Sequence, residues 1–237
     1  MKILSLLFAA LLTGSCHKAS STRIPEPQAQ KNVYEPAEGD VLFQKIGDAP
    51  LPQAIRIATL SEFSHCGLVL QGKEGDWKVI EAIGPVQETP FEEWIARDQG
   101  RFTACRLQSD RRASIAAWIA SARKYLGRPY DIHYSLDDEH IYCSELVWKA
   151  WRDATGEELG RLQKLGELNW RPATPVILAI EGRLPLERQM ITPVEISRAP
   201  ELQRIWGGDG RLELPAPQPG AAQSPPITDG QALPKSH

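Results

Sequence analysis

Cys143 stands in the segment Ile141-Tyr142-Cys143-Ser144-Glu145-Leu146-Val147-Trp148, where an extended stretch gives way to a helical pattern. Free N–H groups and the macrodipole at a helix N-terminus favour an anion, so a thiol placed there titrates lower and attacks better at neutral pH. The same N–H groups can hydrogen-bond the oxyanion of a tetrahedral intermediate. Taken alone, the segment fits a buried cysteine packing a helix start equally well.

A cysteine nucleophile needs a base, which can be remote in sequence. His17 lies in a polar N-terminal stretch, His133 and His140 lie in a polar loop before Cys143, and His237 ends the chain. His65 differs, because it opens the apolar run Ser64-His65-Cys66-Gly67-Leu68-Val69. An imidazole at a sheet edge is held rigidly and can face a helix terminus. Glu81 is the one acid within Val79-Ile80-Glu81-Ala82-Ile83. On a paired strand it would reach His65, fix its tautomer and stabilise the imidazolium. The plainer readings are a satisfied core histidine and a Glu81 on the outer face of the sheet. His133, His140 and Cys143, with Asp131, Asp137, Asp138 and Glu139 around them, match no recognised zinc spacing, so no metal or organic cofactor is expected.

The elements that must hold these residues follow from period and punctuation. Residues 39–44 read as a turn and a short strand, and 54–59 as one or two helical turns. Residues 65–71 and 77–82 read as a hairpin around Gly75-Asp76. Thr89 is the expected N-cap of a short helix with Pro90 in its first position. Residues 102–107 form a strand, and Ile115, Trp118, Ile119, Ala122 and Leu126 place a helix within 110–126. A helix over 144–154 carries the Cys143 end. Residues 175–180 and 190–196 are expected strands, and 199–206 a last helical turn. Helices and strands mix without regular alternation, so the expected fold is α+β with a mainly antiparallel sheet.

The ends carry different information. After Met1-Lys2 an apolar run over residues 3–12 leads to Thr13-Gly14-Ser15-Cys16, the layout of a secretory signal peptide. Cys16 sits where bacterial lipoproteins carry the acylated cysteine, although Thr13 replaces the usual Leu three places before it. The chain is thus expected to be exported and lipid-anchored in the bacterial cell envelope; a plain signal peptide and a soluble periplasmic protein are the alternative. Residues 17–38 read as a flexible tether, 39–214 as one folded domain, and 215–237 as a disordered Pro-rich tail. Cys66, Cys105 and Cys143 remain, an odd number, so at least one thiol stays free; pairing of Cys66 with Cys105 is left open. With net charge −3, no basic excess points to nucleic acid.

At these residues the sequence resembles the YiiX/YaeF-type, circularly permuted relatives of the NlpC-type papain-like hydrolases. The resemblance rests on Gly39-Asp40-Val41-Leu42-Phe43-Gln44, Ser64-His65-Cys66-Gly67-Leu68-Val69, Val79-Ile80-Glu81-Ala82 and Tyr142-Cys143-Ser144-Glu145-Leu146-Val147. Ile191-Thr192-Pro193 and Ser197-Arg198-Ala199-Pro200 match more loosely. The order His, acid, Cys is the reverse of papain's, as permutation implies. The resemblance implies a papain-like fold whose sheet packs on the nucleophile-bearing helix, with Cys143 as nucleophile, His65 as base and Glu81 as orienting residue. Gly127-Arg128-Pro129-Tyr130 is similar to the Gly-x-Pro-Tyr of NlpC-type enzymes, which implies an oxyanion or substrate contact for Tyr130. Those enzymes carry Asp-Cys-Ser-Gly where this chain has Tyr142-Cys143-Ser144-Glu145, so peptidoglycan specificity does not carry over.

The function expected from residues and resemblance together is a cysteine amidase or peptidase. Its substrate would be a peptide, an amide or a lipid-linked molecule of the envelope. A lipid acyltransferase or esterase on the same fold, and a non-catalytic envelope-binding lipoprotein, are the rivals.

Overall fold

A computed structural model describes residues 33–210, so the expected signal peptide, Cys16, most of the tether and the Pro-rich tail lie outside the described residues. In chain order the elements are β1 (Val41–Gln44), α1 (Pro50–Thr59), β2 (His65–Gln71), β3 (Trp77–Ala82), β4 (Val86–Pro90), α2 (Phe91–Ala96) and β5 (Thr103–Leu107). They continue with α3 (Ile115–Arg123), α4 (Cys143–Thr155), β6 (Gln163–Lys164), α5 (Thr174–Glu181), β7 (Gln189–Met190), α6 (Pro193–Ser197) and β8 (Leu202–Trp206). Six strands form one sheet in the order β4-β3-β2-β1-β5-β8, antiparallel at every step, and β6 pairs with β7 separately. The expected α+β class with a mainly antiparallel sheet is therefore met.

Strand β2 lies inside the sheet, and its first six residues are buried, as its near-continuous apolar run requires. Helix α4 packs on β2, β3 and α3. It is buried from Cys143 to Trp151, far more than one amphipathic stripe would be. Trp118 of α3 meets Trp151 edge to face at 5.0 Å and donates its indole N–H to the Val147 carbonyl at 3.1 Å. Helix α4 is thus clamped between the sheet and a second helix.

Four expectations about elements are corrected. Residues 175–180 form helix α5, not a strand: Pro175 sits in its first turn and Gly182, at φ 66°, closes it left-handed. A short apolar run carries no period to tell the two apart. Residues 190–196 split into the end of β7 and helix α6, which Thr192 starts by accepting the Glu195 N–H at 3.3 Å. Residues 202–206 form the edge strand β8 against β5, not a helical turn. Thr89 does not cap α2. It lies in β4 opposite Val79, and its hydroxyl is drawn to Glu81 while Pro90 takes the cap position.

Candidate active site

Cys143 is the first residue of α4, with Tyr142 in extended conformation as its N-cap. Glu145 reaches back to accept the Tyr142 N–H at 3.2 Å. The Ser144 hydroxyl donates to the Ile191 carbonyl at 2.9 Å, and the Ile191 N–H donates to the Tyr142 hydroxyl at 2.9 Å. These bonds fix the helix start against the segment after β7. Burial pushes the Glu145 carboxyl up to about 8 despite Lys149, which lies at 2.9 Å.

His65 opens β2, opposite Gln44 of β1. Its Nε2 lies 2.6 Å from Glu81 Oε2. With Nε2 so engaged, Nδ1 is the ring nitrogen left for the Cys143 sulfur, to which the imidazole is hydrogen-bonded. Trp94 of α2, fully buried, lies over the imidazole with ring centroids 6.1 Å apart. Cys143, His65 and Glu81 converge, and all three are buried.

Charge is balanced within this buried site. Burial opposes ionisation of Glu81, yet the hydrogen bond to His65, the imidazolium charge, Thr89 Oγ1 at 2.6 Å and Arg97 Nη1 at 2.7 Å outweigh it and hold the carboxyl below its ordinary value. Burial also opposes charge on His65, but bonds to Cys143 and Glu81 raise its pKa to about 9. The Cys143 thiol is lowered well below its ordinary value, first by a hydrogen bond from Cys66, against the effect of burial, and then by His65. Both shifts favour a thiolate and imidazolium pair at neutral pH.

Tyr130 forms a bridge with Ile141, and its hydroxyl lies 3.1 Å from that of Tyr134. Tyr134 holds φ at 53°, an uncommon conformation for a bulky residue, and packs on Tyr142 at 4.7 Å. Both phenols are held above their ordinary range, Tyr130 by burial and then its neighbour's charge, Tyr134 by burial and then the Cys143 charge. Cys143 and Tyr134 line a cleft of about 750 Å³ including its open mouth, and Tyr130 is not among its lining residues. Ala54, Ala58, Leu168, Val176, Ile177 and Met190 supply much of its wall. Polar groups gather at His133, Glu181 and Arg188, where Glu181 accepts from His133 at 3.1 Å and from Arg188 Nη2 at 2.9 Å.

A model of the permuted papain-like amidases, the YaeF/YiiX or C92 family, matches residues 35–206. The chain belongs to this family. It is therefore a cysteine hydrolase of the amidase and peptidase class. YiiX of Escherichia coli strain K12 is 35% identical over 181 residues, which cover 73% of this chain and 87% of YiiX. The crystal structure of the metalloprotein YiiX from Escherichia coli O157:H7 is similar at TM-score 0.67 and 32% identity, covering 74% of this chain and 99% of that one. Among the described residues no three His, Cys, Asp or Glu side chains are placed to hold a metal ion. His133 pairs with Glu181, and His140 lies 4.0 Å from Asp137.

Sequence reasoning missed Thr89, Arg97, Trp94, Cys66 and Tyr134. Thr89 and Trp94 were visible only as parts of a helix start, and Arg97 ends α2 with no motif around it. Cys66, beside His65 in sequence, read as a small core residue. Cys66 and Cys105 are both free thiols.

Proposed function

We propose that the chain is a cysteine amidase in which Cys143 is the nucleophile, His65 the general acid and base, and Glu81 the residue that holds the imidazole. The observation that carries this reading is the Cys143–His65 contact at the start of α4, with Glu81 2.6 Å from the far ring nitrogen. The thiolate attacks the amide carbonyl, and the oxyanion is met by N–H groups of the first turn of α4. The Tyr130–Tyr134 hydroxyl pair supplies a further donor. The His65 imidazolium passes its proton to the departing amine, leaving a thioester at Cys143. Neutral His65 then takes a proton from water, which releases the acid and restores the pair.

The cleft favours an acyl group that is itself apolar, because the walls around Cys143 offer it few polar partners. The same feature supports a second reading, transfer of a fatty acyl group from an ester or to an acceptor other than water. Export and acylation at Cys16 would put the domain beside envelope amides and lipids. The test is hydrolysis of N-acyl amides against short peptides and acyl esters by the wild type and Cys143→Ala. A wild type that cleaves none of these, or a Cys143→Ala variant that keeps the activity, sinks the reading. Palmitate incorporation lost in Cys16→Ser tests the anchor.

A further inference from the structure

Cys66 lies against Cys143, and the acyl transfer proposed above does not use it. The β2–β3 ladder pairs residues 68–71 with 77–80 and has ended before Cys66. Helix α4 packs on β2, and the Cys66 backbone N–H is directed at the Cys143 sulfur. The Cys66 thiol is hydrogen-bonded to the same sulfur. Both residues are buried, Cys66 completely, and both are reduced. Cys143 lines the cleft and Cys66 does not.

We propose that Cys66 is a resolving thiol, which captures Cys143 after its oxidation by a peroxide and holds it in a reversible intramolecular disulfide. The inference rests on the Cys143 thiolate of the proposed function. A peroxide entering by the cleft meets Cys143 first. The thiolate attacks one peroxide oxygen, the O–O bond breaks, and Cys143 becomes a sulfenic acid while hydroxide or alkoxide leaves. Sulfur gives up two electrons and the peroxide accepts them. The Cys66 sulfur then attacks the sulfenic sulfur. The S–O bond breaks, the hydroxyl departs with the Cys66 proton as water, and the S–S bond forms. A dithiol restores both thiols and is itself oxidised to a disulfide.

The order of events is built in. Burial, and then the bond to Cys143 and its charge, keep Cys66 protonated in the resting site, so it cannot react first. A neutral sulfenic acid at Cys143 removes that repulsion at the moment Cys66 is needed. Cys105 cannot substitute. Its thiol is pushed up to about 12 chiefly by burial and is directed at the Ser197 carbonyl.

The experiment treats the reduced full-length chain with hydrogen peroxide and maps its thiols by mass spectrometry after non-reducing digestion. The expected product is a Cys66–Cys143 linked peptide that dithiothreitol removes, with iodoacetamide labelling of Cys143 restored. In Cys66→Ser and Cys66→Ala, Cys143 should pass to sulfinic acid and labelling should stay lost after reduction. Oxidised Cys143 without the linked peptide in the wild type overturns the proposal and leaves the amidase reading standing, as does linkage to Cys105 or to a second chain. A Cys143 that resists both peroxide and iodoacetamide overturns both.

Discussion

Gly67 faces Glu81 between β2 and β3, and its missing side chain gives the carboxylate its path to His65. A Cβ added at Gly67 would lie 2.5 Å from Val79 Cγ1, 3.0 Å from the Ile80 carbonyl oxygen and 3.3 Å from Glu81 Cβ. Val79 is fully buried and Ile80 O is backbone, so neither can yield cheaply. Gly67→Ala should therefore push β3 away and cost about 1–3 kcal/mol, as overpacked cores do. Hydrolysis should fall with it, because the 2.6 Å bond between His65 and Glu81 spans the same gap. Denaturant unfolding and amidase assays check both; unchanged stability would show that the strands have slack.

The charge state of Cys143 gives a second prediction. Iodoacetamide should alkylate Cys143 at mildly acidic pH, where Cys66 and Cys105, both raised, stay protonated. His65→Ala removes the cation beside the sulfur, so the alkylation midpoint should climb toward the free-thiol value of about 8.5. Glu81→Gln and Arg97→Ala should shift it less and in the same direction, since they act through the imidazole. A midpoint indifferent to His65 would mean that the helix start and Cys66 alone stabilise the thiolate.

The parts of this site that were legible in the sequence are those with local signatures. Cys143 was marked by the switch from extended to helical pattern, and His65 and Glu81 were polar residues within apolar runs. Arg97 and Thr89 reach Glu81 through strand pairing and a helix end, which no spacing reveals. Tyr130 carried a motif, yet Tyr134, at φ 53°, is the phenol at the cleft. The fold class followed from helices and strands that mix without regular alternation. Where short apolar runs lacked a period, as in 175–180, helix and strand could not be separated.

Stability should depend on pH through His65. Its folded value of about 9 lies above the unfolded value of 6.5, so the folded state binds the extra proton more tightly. The contribution is complete below pH 6.5, declines between 6.5 and 9, and is gone above 9. For one fully buried group the difference amounts to about 3 kcal/mol. Melting curves from pH 6 to pH 10 should show the wild type losing more than His65→Gln over this window. Parallel curves would place the proton on another group.

Acyl-chain length reads the cleft directly. If the acyl group sits between Ala58 and Ile177, each methylene buried there adds about 0.8 kcal/mol, or roughly fourfold in kcat/KM. A series of N-acyl amides with one leaving amine should then rise in kcat/KM with chain length until the cleft is full. Ala58→Phe fills part of that space without touching Cys143, His65 or Glu81. It should depress long-chain substrates strongly and leave the shortest nearly as good as with the wild type. The shortest substrate reports on the chemistry, so its retention separates loss of binding from a damaged site. A series flat in chain length for the wild type, with Ala58→Phe equally flat, would mean that the acyl group lies outside the cleft.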